Sequence, residues 1–291
     1  MTLESIKQIS LPLDTKNELL LIDNGSTDNT AEILNNCSIP NIETRYIYEP
    51  RKGLSHARNR GLREAIGEVI IFIDDDVRPS NDWLINILAC LNNDQVNVVA
   101  GKVILPDDRL RPWMTKTHRK WLASTEGIEP NELVGANMAF ARSVLNQVPQ
   151  FDVELGAGAT GFGEESLFAR QLIEAGQQIV YSDSGVVTHF FNEQRLSRSE
   201  WLINASKRGY TKAYIAHHWE HRIINNPLYH YVRYMLKVLY WRIKNPDCYR
   251  SVEGCAAEEL YLVRTLSFYE RYMIEKRRSR NYAYHGLVKI L

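Results

Sequence analysis

Three adjacent carboxylates follow directly on the most apolar run of the chain. The run is Val69–Ile73, and Asp74, Asp75 and Asp76 come next. Adjacent negative charges repel one another, and a buried strand beside them makes their desolvation costly. A divalent cation held by carboxylate oxygens would remove this conflict, and so would full exposure on a surface turn. The triplet alone leaves a metal site and a surface turn as two open interpretations.

A second pair of carboxylates, Glu164 and Glu165, follows a glycine-rich segment and opens a helix-like one. The segment reads GAGATGFG over residues 156–163, and its four glycines predict a flexible loop. Two carboxylates in this place can supply a general base. They can also simply stabilise the positive end of the helix dipole. Both interpretations are compatible with the sequence.

Alternating strand-like and helix-like segments must position these carboxylates. The strand-like segments span residues 18–22, 44–48, 69–73 and 96–105, and the helix-like segments begin at residues 30, 55 and 82. This alternation predicts an open α/β sheet, which binds ligands at the carboxyl ends of its strands. Asp23 and the aspartate triplet both fall at such ends. Their placement favours a metal or nucleotide site over a surface turn.

The composition excludes several classes of protein. The chain has 291 residues, 44% of them hydrophobic, and its 35 basic and 35 acidic residues give a formal net charge of zero. Nothing in this balance supports general binding of nucleic acid. The four cysteines form no CxxC pair, which suits a reducing cytoplasm. No apolar stretch approaches the roughly 20 residues of a membrane span. We expect a cytoplasmic protein, free or at the inner surface of the membrane.

Five segments occur in the order found in one protein family. They read LLLIDNGSTDNTAEIL, GLSHARNRGL, FIDDDVRP, VGANMAFARSVL and GFGEESLFARQLIEAG. Together they resemble the family 2 glycosyltransferases over roughly residues 1–215. The resemblance implies a GT-A fold, in which a mostly parallel, Rossmann-like open sheet is flanked by helices. It places a glycosyltransferase domain at residues 1–215 and a helical extension at residues 216–291.

The resemblance also implies a reaction. A sugar would move, with inversion, from a nucleotide diphosphate donor to a saccharide or lipid-linked acceptor of the cell envelope. UDP is the expected nucleotide, and Mn²⁺ or Mg²⁺ is the expected cofactor. Two rival interpretations stay open: a nucleotide-sugar-binding relic without turnover, and an aspartate-dependent phosphatase or nucleotidyltransferase. The second is disfavoured because the chain has neither a separate glycine-rich phosphate loop nor a DxDx[TV] pattern.

The family pattern assigns metal-binding roles to the triplet. Asp74 and Asp76 match the outer positions of the DxD motif, so both are expected metal ligands, with Asp76 the more direct one. Asp74 and Asp75 complete the donor-binding set, although alternation along an extended backbone predicts that the Asp75 side chain points away from its neighbours. His189 corresponds to an imidazole that some members supply to the metal. A purely structural histidine is the alternative.

Donor and acceptor roles are assigned in the same way. Asp23 and Asn24 are expected at the donor base, with an Asx-turn as the alternative role of Asp23. Arg58 is expected near the base and phosphates, since a guanidinium donates two parallel hydrogen bonds; an exposed helix arginine is the alternative. Glu165 stands where the family usually has Asp and is the expected base, supported by Glu164.

The two ends of the chain lie outside the strong resemblance. Residues 228–243 form an aromatic and aliphatic helical pattern with interspersed basic residues, and a basic cluster follows at 275–280. The pattern predicts a packing surface, with peripheral membrane contact and oligomer contact as alternatives. At the other end, the apolar first strand of the family has no counterpart, and residues 1–9 look helical. We therefore expect an N-terminally short domain in which residues 19–22 and 69–73 lack a neighbouring strand.

Overall fold

The computed structural model describes residues 1–13, 15–92, 96–127, 131–249 and 251–290. Strands and helices alternate up to residue 189, and helices follow from there. The strands are β1 (Glu18–Asp23), β2 (Glu43–Tyr48), β3 (Val69–Ile73), β4 (Val77–Pro79), β5 (Val98–Ile104), β6 (Asn137–Ala141) and β7 (Ile179–His189). The α-helices are α1 (Thr2–Ile6), α2 (Thr30–Asn35), α3 (Leu54–Glu64), α4 (Trp83–Leu91), α5 (Lys116–Trp121), α6 (Glu164–Glu174), α7 (Arg198–His218), α8 (Pro227–Lys244) and α9 (Ala257–Glu275).

The strands form two sheets. β1 and β2 pair in parallel, and the other strands form a five-stranded sheet in the order β3-β6-β5-β7-β4. Within the larger sheet only β5 and β7 run parallel, and the three remaining pairings are antiparallel. The predicted α/β architecture with flanking helices is confirmed. The expectation of a mostly parallel sheet is wrong, because apolar runs locate strands without giving the direction of their partners.

β1 and β3 do not pair with each other, and in the described ranges no strand pairing joins the two sheets. Helix α3 packs across both sheets instead. A methyl group added to Gly61 on this helix would lie 3.8 Å from Phe72 of β3 and 3.9 Å from Ile22 of β1. Both apolar side chains are only partly buried. The helix therefore links the sheet that carries Asp23 to the sheet that carries the aspartate triplet.

The centre of the larger sheet is organised around Asn137, which is fully buried. Its Nδ2 donates to the carbonyls of Lys102 and Gly185 at 3.0 and 2.8 Å, and its Oδ1 accepts from Trp83 Nε1 at 2.9 Å. The register of β5 against β7 shifts between Gly101 and Lys102, at the level of this side chain. Asn137 thus satisfies the backbone groups that the irregularity frees.

The C-terminal helices pack on one another and on the sheet unit. At Gly209, helix α7 approaches α9 so closely that a methyl group would lie 2.4 Å from the carbonyl oxygen of Arg264. The segment after α9 returns to the sheet unit, where Tyr282 donates to buried Asp152 at 2.7 Å and Lys289 pairs with it at 2.9 Å. The predicted boundary between residues 215 and 216 lies inside the continuous helix α7. Across the described ranges, none of the helices has the length and apolar character that crossing a membrane requires.

Candidate active site

Asp76 and His189 meet where β4 joins β7. The register pairs Val77 with His189, which brings the preceding aspartate beside the imidazole. His189 Nε2 lies 3.1 Å from Asp76 Oδ2, and its Nδ1 lies 2.7 Å from the carbonyl oxygen of Leu122. A carbonyl oxygen only accepts, so Nδ1 carries a proton. In the neutral imidazole, Nε2 therefore directs a lone pair at a carboxylate, and a proton or a cation must lie between them.

This pair fits a divalent cation. A carboxylate oxygen suits Mg²⁺ or Mn²⁺, and a neutral imidazole oriented by a backbone carbonyl is a common metal ligand. Asp74 Oδ1 lies 3.6 Å from Arg58 Nη2, and Asp74 is also in the electrostatic field of Asp76 and His189. Asp75 is exposed. Within the described ranges no group of three His, Cys, Asp or Glu side chains is close enough to hold a metal. Asp76 and His189 alone would leave coordination positions open for substrate.

Arg58 connects the triplet to the second pair of carboxylates. Its side chain is 6% exposed, and Nη1 lies 2.6 Å from Glu164 Oε1 while Nη2 faces Asp74. A methyl group added to Gly135 would lie 2.1 Å from Arg58 Nη2. The guanidinium also lies 5.7 Å from the centre of the Phe151 ring. Arg58 is thus a buried link between two acidic groups rather than an exposed helix arginine.

The two glutamates at the start of α6 have different surroundings. Glu164 is buried and held by Arg58, and its Oε2 has no hydrogen-bond partner in the part of the chain described. Glu165 is half-buried. Burial, together with the neighbouring charge of Glu164, raises the pKa of Glu165 to about 8. A general base works best when its pKa lies near the working pH. Of the two carboxyl groups, Glu165 is the one available to a substrate.

The glycine-rich segment is a hydrogen-bonded turn rather than an open flexible loop. Gly156 donates to the Phe162 carbonyl at 3.2 Å and accepts from the backbone N–H of Gly161 at 2.8 Å. Leu54, at the start of α3, donates to the Ala157 carbonyl at 2.9 Å. Gly163 caps α6 with a φ of 89°, which a side chain would strain. The turn therefore fixes Glu164 and Glu165 relative to Arg58.

Asp23 and Asn24 hold the loops at the end of β1. Asp23 Oδ1 accepts from the backbone N–H of Ser26 at 2.9 Å, three residues on rather than the two of an Asx-turn, and Oδ2 accepts from the Tyr46 hydroxyl at 3.0 Å. Asn24 donates to the carbonyls at residues 49 and 51 and accepts from the Gly53 backbone. The Asn24 amide is thus engaged on both sides. Contact of these residues with a donor base stays a prediction.

Sequence reasoning missed three contributors to this region. Tyr46 orients Asp23, the Leu122 carbonyl fixes the tautomer of His189, and Arg208 lies between the rings of Trp121 and Phe162. A backbone carbonyl gives no sign in a sequence.

Comparisons with known proteins identify the family. The profile described as Glycosyl transferase family 2 matches residues 2–148, half of the chain. The chain belongs to this family. A glucosyl-dolichyl phosphate glucuronosyltransferase of Haloferax volcanii is 23% identical over 207 residues, 67% of this chain and 66% of the relative. The O-antigen chain rhamnosyltransferase of Salmonella typhimurium is 27% identical over 208 residues, 65% of this chain and 61% of the relative. This family 2 chain therefore matches less than two thirds of the length of each.

A solved structure supports the fold of this family 2 chain. The mannosyltransferase of Pyrobaculum calidifontis, determined in complex with GDP-Man and Mn²⁺, superposes with a TM-score of 0.52 at 21% identity. The match covers 73% of this chain and 57% of the mannosyltransferase. The predicted GT-A fold is confirmed at this level.

Proposed function

We propose that this family 2 protein transfers a sugar from a nucleotide diphosphate donor, with UDP as the nucleotide, to a saccharide or lipid-linked acceptor. The observation that carries the proposal is the convergence around Arg58. Through it, the triplet at the end of β3 and the glutamates at the start of α6 become one charged site. A nucleotide sugar needs both halves, because its phosphates require cationic partners and its acceptor requires a base.

The residues would divide the reaction between them. A divalent cation at Asp76 and His189, Mn²⁺ or Mg²⁺, would neutralise charge on the departing nucleoside diphosphate. Glu165 would take the proton from the acceptor hydroxyl as that oxygen attacks the anomeric carbon from the face opposite the leaving group, which inverts the configuration. Arg58 would hold Glu164 and Asp74 in place. Burial and the neighbouring Glu164 raise the pKa of Glu165 to about 8, which makes it basic enough to accept the proton.

Two relatives support an envelope saccharide as the product. One is named a glucosyl-dolichyl phosphate glucuronosyltransferase and the other an O-antigen chain rhamnosyltransferase. Both names fit an acceptor carried on a lipid or a growing polysaccharide. The mannosyltransferase with GDP-Man makes guanine the natural rival to uracil in the donor.

Helix α8 supports peripheral contact with a membrane on the cytoplasmic side. Its exposed surface includes seven apolar or aromatic side chains, and the helix carries four basic residues and no acidic one. The exposed set is Leu228, Tyr229, Val232, Leu236, Leu239, Tyr240 and Ile243. A basic, acid-free helix with an exposed apolar face is typical of segments that lie in the interface of an anionic bilayer. A lipid-linked acceptor would be reached from there.

Calorimetric titration tests the proposal. UDP, GDP and their sugars should bind more tightly with Mn²⁺ than without it. Asp76→Asn should remove the gain in affinity that Mn²⁺ gives, while leaving the melting temperature unchanged. If Asp76→Asn binds nucleotide with the metal dependence of the wild type, the triplet is a surface turn and the proposed site is wrong.

A further inference from the structure

The guanidinium of Arg208, on α7, lies between two aromatic rings without a counter-ion. Its central carbon, Cζ, is 4.1 Å from the centre of the Phe162 ring and 4.7 Å from the centre of the Trp121 ring. One hydrogen bond is made, from Nη2 to the Trp121 carbonyl at 3.3 Å. Nε is buried without a partner, and within the described ranges the side chain forms no ion pair. Stacking fixes the plane of the guanidinium and leaves donors unused.

This arginine lies beside the acid pair. Phe162 precedes Gly163 and the two glutamates, and Thr211, one turn along α7 from Arg208, donates to the Phe162 carbonyl at 2.9 Å. A methyl group at Gly163 would lie 2.3 Å from Thr211 Cγ2. On the other side, Trp121 precedes Leu122, the residue that accepts from His189. Arg208 is thus held between the turn that positions Glu165 and the peptide that orients His189.

The charges around Arg208 are mostly positive. Arg195 and Arg264 act on it as neighbouring cations, and Lys212 lies in the field of Arg264, Arg170 and Arg208. Among the carboxylates that attract the Arg208 cation, Glu165 has the largest effect. In the part of the chain that the structure describes, none of the four cations other than Arg170 has an ion-pair partner. Burial lowers the pKa of Arg208 to about 10, so it is still a cation at neutral pH.

We propose that a basic cluster of Arg195, Arg208, Lys212 and Arg264 binds a phosphate or diphosphate group of the acceptor. Clustered cations repel one another, and water screens this repulsion only weakly at a partly buried place. A bound anion would relieve the repulsion and would therefore be held firmly. A planar guanidinium with free donors suits the tetrahedral oxygens of phosphate. This inference rests on the proposed function and extends it by naming the acceptor as a phosphate-bearing molecule.

Calorimetry with inorganic pyrophosphate in buffer containing EDTA tests the cluster separately from the metal site. The wild type should bind, and Arg208→Gln should bind at least tenfold more weakly. Asp76→Asn should bind at least as tightly as the wild type, because no metal takes part and the variant removes a negative charge that acts on Arg195. Arg60→Gln is the control, since this arginine on α3 is already paired with Glu64 at 2.9 Å. Unchanged binding in Arg208→Gln, or equal loss in Asp76→Asn, would overturn the proposal.

A second variant keeps the test decisive if Arg208→Gln fails to fold. Lys212 is exposed, so Lys212→Gln leaves the packing intact and should still weaken pyrophosphate binding severalfold. Binding equal to the wild type in a folded Lys212→Gln variant, with Arg208→Gln unfolded, would count against the cluster.

Two further ligands distinguish the sources of phosphate. Farnesyl diphosphate binding more tightly than pyrophosphate would support a lipid-linked acceptor, and glucose 1-phosphate binding as tightly would support a soluble sugar phosphate. Binding of none of the three probes would overturn the proposal. The outcome is separable from the proposed function: Mn²⁺-dependent UDP affinity should stay within about twofold of the wild type in Arg208→Gln. A protein that binds no nucleotide can still pass or fail the pyrophosphate test.

Discussion

Replacing Arg58 by methionine isolates the charge at the centre of the site. Methionine keeps most of the side-chain volume and removes the guanidinium. Glu164, which is 4% exposed, would then carry a buried negative charge without its partner at 2.6 Å. Asp74 would lose its neighbouring cation as well, at 3.6 Å.

The expected loss of stability follows from burial. Breaking a buried ion pair by removing one partner costs roughly 3–5 kcal/mol. The Asp74 side chain is 35% exposed, so solvent screens its share and the Glu164 pair determines the result. Since 1 kcal/mol moves the melting temperature of a large domain by about 2–4 °C, Arg58→Met should lower it by roughly 6–20 °C. Adding Glu164→Gln removes the orphaned charge and should recover about 2 kcal/mol or more.

Urea unfolding followed by tryptophan fluorescence measures both changes. Arg60→Met is the matched control on the same helix, because Arg60 forms a partly exposed pair with Glu64 at 2.9 Å. Such pairs contribute at most about 1 kcal/mol. A loss below about 1 kcal/mol in Arg58→Met would refute the buried link, and so would a double variant no more stable than the single one.

Three further changes test the other parts of the account. Glu165→Gln should reduce transfer by orders of magnitude while donor affinity stays within a few-fold, because the base acts in the transition state. Acceptor-dependent nucleotide release measures the transfer rate. Equal loss in Glu164→Gln alone would reverse the assignment of the base. The pKa of Glu165 is raised from 4.5 to about 8 in the folded state, so the folded protein binds this proton more tightly than the unfolded chain does. Protonation of Glu165 therefore stabilises the fold. That contribution to stability is complete below pH 4.5 and is lost as pH rises through about 8, so the stability of the wild type relative to Glu165→Gln should fall over this window. Parallel curves of stability against pH for the two proteins would show that the pKa of this carboxyl is not raised. Leu236→Glu on α8 should reduce co-sedimentation with phosphatidylserine vesicles, whereas Ile66→Glu, also at an exposed residue, should not; equal binding by both variants would place the membrane contact elsewhere.

Local pattern was enough to find the elements that carry the site. Val69–Ile73 was predicted with both of its ends, because a short apolar run rich in β-branched and aromatic residues and closed by aspartates favours a strand over a helix. The start of helix α3 was predicted within one residue of its observed position at Leu54. The same local logic gave the Asx-turn as an alternative role for Asp23; its carboxylate does bind the following loop, but at the backbone N–H three residues on instead of two.

Long-range relations could not be obtained in this way. Arg58 and Glu164 are 106 positions apart, and nothing in the sequence around either residue indicates the other. The antiparallel direction of β6 depends on its partners β3 and β5 rather than on its own residues. Arg208 has the sequence context of any surface arginine, and only the tertiary fold brings it between two aromatic rings.

Release of nucleoside diphosphate from a panel of UDP- and GDP-sugars, measured with Mn²⁺ in wild type and in Glu165→Gln, distinguishes a transferase from a binding protein. Both proteins should bind a donor in the presence of Mn²⁺, and only the wild type should release nucleotide at an appreciable rate. A wild-type protein that binds nucleotide sugar and never releases nucleotide would instead be a binding relic, and the catalytic role given to Glu165 would be wrong.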